Sequence, residues 1–276
     1  MARSREYVRV AVAKWQITLD TLDYADADLI VANSSGGKDS AAMLDEVVAR
    51  ADAAGVRDRV IVAHASLGRM EWPGTTALAR TQAERYGLRF ETCTRAKGDL
   101  ETQIRDRGMW PSSDARYCTS DQKRDQIQRL ITRWVAELGI TGRPARVLNC
   151  MGLRGQESTK RAKRPMLAPD MRGSSGTRVI YTHLPILHWT VDQVWERIRA
   201  RGIPYHDVYD RGMSRLSCSF CVLASQADLI CAARLRPDYV TELVALESEI
   251  GHRFREDLSM AEIQAMAQNP TLPEVA

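Results

Sequence analysis

Three groups of residues in this chain carry side chains suited to chemistry. The first is Ser34 followed by the hexapeptide Ser35-Gly36-Gly37-Lys38-Asp39-Ser40. Two adjacent glycines let a backbone approach an anion closely, Ser35 and Ser40 offer hydroxyl donors, and Lys38 adds a positive charge on a flexible stem. This is not the Walker pattern, which needs four residues between its first glycine and Gly-Lys-Ser/Thr. The second group is Gly152-Leu153-Arg154-Gly155-Gln156-Glu157-Ser158, trailed by Lys160, Arg161, Lys163 and Arg164. Its arginines suit phosphate or another anionic substrate, and Glu157 suits either orienting an arginine or binding a metal ion. The third group is the cysteines. Cys218-Ser219-Phe220-Cys221 has the Cys-x-x-Cys spacing that lets two thiolates reach one metal centre from a single turn, and Cys118 and Cys231 are the candidates to complete four ligands. Four thiolates suit iron–sulfur and zinc alike. Cys93 and Cys150, at the ends of apolar runs, read as buried small hydrophobes.

These groups need elements to position them. The apolar run Leu29–Ala32 leads into the hexapeptide and a helical pattern near 41–52 follows it, so the loop falls at a strand-to-helix turn, where the free N–H groups of a helix face an anion. Further strand-like runs lie at Val60–Ala63, Leu88–Thr92, Arg146–Cys150 and Val179–Leu184, with helical stretches near 74–86, 120–138 and 190–201. Strands separated by helices predict an α/β fold with a doubly wound, largely parallel sheet, whose ligands gather at the carboxyl ends of the strands. Val8, Val12, Trp15, Leu19 and Leu22 predict a helix over about 5–22, and Tyr239–Phe254 a covering helix. The stretch Lys160–Arg178, rich in Gly, Ser and Pro, reads as a mobile loop. The expected division is a nucleotide-binding α/β domain over 1–215 and a cysteine-bearing C-terminal helical extension over 216–276 packed on it. Trp189 and Trp195 are expected in the core, and the isolated His188 and His206 lack the spacing of a histidine metal site.

With 276 residues the chain is long enough to bury a full core, and 39 Lys+Arg against 35 Asp+Glu give a formal charge of +4. That mild excess suits a polyanionic ligand without requiring nucleic acid. No run reaches the roughly 18 apolar residues of a membrane span. Met1–Arg5 lacks a signal-peptide core, so the cytoplasm is the expected compartment, and six cysteines there argue for metal binding or reactivity over disulfides.

The ordered set Ser35–Ser40, Arg116-Tyr117-Cys118-Thr119 with Lys123, Gly152-x-Arg154-x-x-Glu157-Ser158 with Arg161, Leu184-Pro185-Ile186-Leu187-His188-Trp189-Thr190 running to Trp195, Tyr209-x-x-Gly212 and Cys218-x-x-Cys221 resembles the phosphoadenosine phosphosulfate (PAPS) reductase family. The hexapeptide is similar to the PP-loop of enzymes that split ATP between its α and β phosphates. The resemblance implies an adenine nucleotide α-hydrolase-like fold, with ATP and Mg²⁺ bound by Ser34, Ser35, Gly36, Gly37, Lys38, Asp39, Ser40, Gly152, Arg154 and Arg161. Lys38, Asp39, Arg154 and Glu157 are the expected catalytic residues; Asp39 serves either the metal ion or the helix N-terminus. Sulfonucleotide reductases of the family use a nucleophilic cysteine near the C-terminus and tend to lack the loop lysine. Here residues 232–276 contain no cysteine and Lys38 is present. Both departures favour an ATP pyrophosphatase that adenylates an acceptor for sulfur incorporation, similar in character to the enzyme of DNA phosphorothioation; the alternative is a sulfonucleotide reductase. A [4Fe-4S] cluster on Cys118, Cys218, Cys221 and Cys231, with zinc as the alternative, a DNA or RNA acceptor, a sulfur donor such as a cysteine desulfurase and a homodimer are further expectations. Thr119 stands where iron–sulfur reductases have a second adjacent cysteine, and Ser66 where the family has an acid at a strand end.

Overall fold

A computed structural model describes residues 15–216 and 218–269, together with Arg9 and Val12. The chain separates into two compact units, each discontinuous in sequence: 1–64, 76–93 and 127–205 form the first, and 65–75, 94–126 and 206–276 the second.

The first unit is built on a six-stranded sheet of β1 (Leu29–Asn33), β2 (Val60–Ala65), β3 (Arg89–Cys93), β4 (Ala145–Met151), β5 (Leu167–Pro169) and β6 (Arg178–His183), in the order β3-β2-β1-β4-β6-β5. β1 pairs in parallel with β2 and β4, setting Ala32 opposite Val62 and Cys150, and β4 pairs in parallel with β6. Leu29, Ile30, Val31 and Ala32 are all buried, as in a parallel strand covered on both faces. After β1, β2 and β3 extend the sheet to one side and β4 and β6 to the other, so the winding direction reverses between β1 and β4. Crevices outside the carboxyl ends of strands open at such a switch point. Helix α1 (Lys38–Ala53) follows β1 and buries Ala41, Ala42, Met43, Leu44, Val47, Val48 and Ala51. α2 (Thr75–Glu84) and α5 (Val191–Arg201), the latter begun by a Thr190–Gln193 capping box and ended by Gly202, belong to the same α/β pattern.

Two expectations are corrected here. The stretch Lys160–Arg178 is not simply a loop: Leu167–Pro169 form β5, which pairs antiparallel with β6, Leu167 opposite His183. Three residues ending in a proline are too few to signal a strand by alternation. The helix expected over 5–22 does not extend past Trp15. Residues 16–22 turn, with Thr18 N donating to Thr21 Oγ1 at 3.0 Å, and threonine hydroxyls that bond local backbone groups compete with helix formation. Val8 lies outside the described residues, while Val12 and Trp15 are buried.

The second unit is mainly helical. It contains α3 (Leu100–Arg107), a π-helical turn at Ser120–Arg124, α6 (Gln226–Leu235), α7 (Pro237–Ile250) and α8 (Met260–Gln268); α4 (Asp125–Glu137) runs on from the turn into the first unit. Ser225 and Ser259 cap α6 and α8, and Pro237 starts α7. Its core joins Leu67, Met70, Trp72, Trp110 and Tyr117 to Phe220, Leu243, Phe254 and Ile263. Among the described residues no helix is long and apolar enough to cross a membrane.

Candidate functional site

In the first unit the hexapeptide leaves β1 through Gly36, whose φ of 71° lies in the left-handed region that glycine alone adopts without strain, and enters α1 at Gly37. The serines hold the loop shape. Ser34 Oγ accepts from Gly36 N at 3.2 Å, and Ser40 Oγ accepts from Ser35 N at 3.2 Å while donating to Gly37 O at 2.9 Å. Gln82, on α2, donates to Gly36 O at 3.3 Å. The residue after β4 presses against this loop. A Cβ on Gly152 would lie 2.6 Å from Asp39 O and 2.9 Å from Ser40 Cα, so only glycine fits between the end of β4 and the start of α1.

The charged groups of both motifs meet there. Lys38 is buried, with Nζ 3.6 Å from Asp39 Oδ2, and Arg154, also buried, binds the other oxygen of Asp39 through Nε. Arg154 Nη1 donates to Gln156 Oε1 at 2.8 Å, its backbone N donates to Glu157 Oε2 at 3.1 Å, and Glu157 pairs with Arg161. The sequence Lys38, Asp39, Arg154, Glu157, Arg161 thus alternates in sign. Burial pushes the Lys38 ammonium down from its ordinary value, Asp39 opposes that and Arg154 reinforces it. A second anion arriving beside Lys38 and Arg154 relieves this crowding of cations. All ten nucleotide-binding candidates, Ser34, Ser35, Gly36, Gly37, Lys38, Asp39, Ser40, Gly152, Arg154 and Arg161, lie in the first unit, and the loop and the end of β4 flank the switch point.

Polar residues that the motifs did not single out complete the strand ends. Asn33 Nδ2 donates to Asn149 Oδ1 at 2.6 Å and to Cys150 O at 2.8 Å, tying β1 to β4. His64, at the end of β2, places Nδ1 2.9 Å from Ser34 O and Nε2 3.2 Å from Thr76 Oγ1. The available signal was a polar residue closing an apolar run. Trp189 and Trp195, expected in the core, are half-buried and pack against it.

In the second unit, the loop carrying Cys218 and Cys221 docks on 68–72. Glu71 bridges Cys218 in antiparallel fashion, and Ser219 N donates to Met70 O at 2.8 Å. Arg236 fastens both sides, donating to Arg69 O at 3.1 Å, Glu71 O at 3.0 Å and Ser219 Oγ at 2.5 Å, with its guanidinium 4.0 Å from the Tyr239 ring centre. The Cys218 thiol donates to Cys221, which raises Cys218 and favours the thiolate at Cys221; Arg215 and Lys123 add to that preference. Cys118 is near enough to act electrostatically on Cys218 and to feel Cys221, and burial raises its own thiol against the pull of Thr119 and Lys123. Cys231 lies on α6, where its thiol donates to Arg211 O at 3.3 Å. Thiols beside cations suit a thiophilic metal, yet among the described residues no three His, Cys, Asp or Glu side chains stand close enough to hold a metal ion. Of the two cysteines expected to be buried, Cys150 is and Cys93 is only half-buried; burial pushes the Cys93 thiol up to about 11 and Cys150 to about 12.

Residues 29–224 match the phosphoadenosine phosphosulfate reductase domain. An uncharacterised 37.8 kDa protein of Escherichia phage 186 is 31% identical over 123 residues, spanning 45% of this chain and 34% of that protein. An adenosine 5'-phosphosulfate reductase of Oceanobacillus iheyensis is 33% identical over 85 residues, 31% of this chain and 32% of the other. The chain therefore spans about a third of the length of these curated relatives. A phosphoadenylyl-sulfate reductase of Candida auris, solved as its phosphate complex, superposes with a TM-score of 0.46 at 21% identity, covering 78% of this chain and 87% of that one. With a matching domain that takes in the phosphate loop, the arginine motif and Cys218-x-x-Cys221, the chain belongs to the phosphoadenosine phosphosulfate reductase domain family.

Proposed function

We propose that this protein is an ATP pyrophosphatase, cleaving ATP to AMP and pyrophosphate so as to adenylate an acceptor for sulfur incorporation. The observation that carries this reading is the buried Lys38 beside Asp39 and Arg154 at the start of α1. An adenosine phosphosulfate carries a single 5' phosphate joined to sulfate and has no β or γ phosphate for such a lysine to hold, whereas ATP has both. The acceptor oxygen attacks the α phosphorus, forming one P–O bond as the bond to the bridging α–β oxygen breaks, and pyrophosphate departs with that electron pair. Lys38 and the N–H groups at the start of α1 stabilise the charge developing on the leaving group. Arg154 moves between Asp39 and phosphate, and Arg161 between Glu157 and phosphate, so each carboxylate holds its arginine ready until nucleotide binds. Asp39 and Glu157 are the carboxylates that would hold a Mg²⁺ ion arriving with ATP, which would neutralise phosphate charge there.

Cys118, Cys218 and Cys221 are the residues that would hold an iron–sulfur cluster, which when bound supplies a thiophilic site for the sulfur to be transferred. Their thiol chemistry and the nearby Lys123 suit such a group, whose ligands would have to draw closer together than they stand here. The acceptor class includes DNA or RNA, and the sulfur donor a cysteine desulfurase. The 5'-phosphosulfate reductase activity named for the Oceanobacillus relative is the second reading, supported by that likeness.

One experiment separates the two. Purified protein is incubated with Mg²⁺ and α-labelled ATP, and separately with adenosine phosphosulfates and a dithiol. AMP and pyrophosphate in stoichiometric amounts are expected; sulfite release without ATP cleavage overturns the proposal.

A further inference from the structure

Gln82 is a polar side chain with 1% exposure, placed on α2 away from every motif in the chain. Its amide nitrogen donates to two carbonyls, Gly36 O at 3.3 Å and Pro204 O at 2.9 Å. Both acceptors are backbone oxygens, so only the NH₂ side of the amide can face them, and this fixes the orientation of the side chain. The other end, Oε1, is buried without a partner. An orphaned acceptor is unfavourable, and its retention calls for an explanation in what the donor end does.

The peptide plane joining Gly36 to Gly37 supplies it. In a trans peptide the C=O and the following N–H point in opposite directions. No residue of this chain has a cis peptide bond among those described, and Gly36 is in the left-handed conformation, where glycine tolerates more than one orientation of the plane that follows. Drawing Gly36 O toward the Gln82 amide therefore turns Gly37 N–H the opposite way, away from Gln82. Gly37 O is already used, accepting from Ser40 Oγ at 2.9 Å and from Ala41 N at 3.0 Å, whereas no acceptor for Gly37 N–H is found among the described residues. We infer that Gln82 is a positioning residue that locks the Gly36–Gly37 peptide with its N–H presented to the phosphates of the bound nucleotide. It acts through the loop backbone and does not touch the ligand. The inference rests on the reading of this loop as a phosphate site, but it holds for any ligand with a terminal phosphate or pyrophosphate.

The test compares ligands with and without phosphate. Gln82→Leu removes both donors, and Gln82→Met does so while keeping the unbranched stem, should the first variant fold poorly. Affinities for ATP, inorganic pyrophosphate and adenosine are measured by titration calorimetry on the full chain, and thermal midpoints are recorded. The expected result is a loss of roughly ten- to hundredfold for ATP and pyrophosphate, the scale of one charge-assisted hydrogen bond, with adenosine changed less than about twofold. A side chain that merely stabilises the unit lowers the midpoint and leaves all three affinities alone, or weakens all three alike; either result overturns the inference, as does a wild-type protein that takes up no phosphate ligand. Pyrophosphate binding that weakens in the variant of a protein unable to cleave ATP supports Gln82 while removing the ATP pyrophosphatase reading.

Discussion

Asp39 faces two cations at once, one on each carboxylate oxygen, and this sharing defines the chemistry of the loop at the scale of single residues. Lys38→Met is expected to lower kcat for pyrophosphate release by about 10²–10³, the usual effect of deleting a preorganised charge stabiliser, while circular dichroism stays unchanged. Asp39→Asn frees Arg154 from its partner and is expected to raise nucleotide KM more than the Lys38 change does. A second residue-scale prediction concerns His183, which is buried with Nδ1 3.0 Å from Tyr24 Oη and whose burial, aided by Arg50, lowers its pKa to about 4. In the unfolded chain the imidazole titrates near 6.5. Between about 4 and 6.5 the unfolded state binds more protons, so stability is full above this window and falls as pH drops through it, by about 3 kcal/mol in all. Urea midpoints at pH 7 and pH 4.5 check this, and His183→Gln is expected to flatten the dependence. The sequence made Lys38, Asp39 and Arg154 legible because their motifs lie at strand ends. It left Gln82 and Asn149 unread, because their partners, Gly36 and Asn33, are 46 and 116 residues away.

At the scale of elements, the close approach of β4 to α1 explains why two motifs more than a hundred residues apart meet. Gly152→Ala puts a methyl group against Asp39 O and the Ser40 Cα, both backbone atoms that cannot rotate aside. The expected loss is about 1–3 kcal/mol of stability, read as a lower thermal midpoint, with nucleotide affinity falling as α1 shifts. The cysteines make an opposite pair of predictions. Cys218→Ser is expected to abolish iron and sulfide content after anaerobic reconstitution, and Cys231→Ser, whose thiol faces Arg211 O, to leave it intact. Loss of iron in both variants returns Cys231 to the ligand set, and stoichiometric zinc in place of iron removes the cluster. Strand runs and α5 were readable from periodicity and caps, since each is fixed by its own residues. β5 and the turn at 16–22 were not: one exists only as a partner of β6, and the other depends on two threonine hydroxyls outbidding a helical pattern.

For the whole molecule, the sequence reads in order while the compact units do not. A boundary near 215 follows the placement of Cys218-x-x-Cys221, but the helical unit also draws on 65–75 and 94–126, which its core requires. A protein truncated to 1–215 keeps Leu67, Met70, Trp72, Trp110 and Tyr117 and removes Phe220, Leu243 and Ile263 that cover them. It is expected to bind a hydrophobic dye and to aggregate, and a sharp, reversible melt for this fragment would contradict the interleaved core. No local pattern announces such an arrangement, because each helix looks the same whichever segment it packs against. The interleaving also sets a schedule on the ribosome. At about 5–20 residues per second, Leu67 emerges roughly 10–40 s before Ile263, its partner in the same core. Through that interval the nascent chain displays tryptophans and leucines that nothing yet shields, making it a client for holding chaperones before its second core closes.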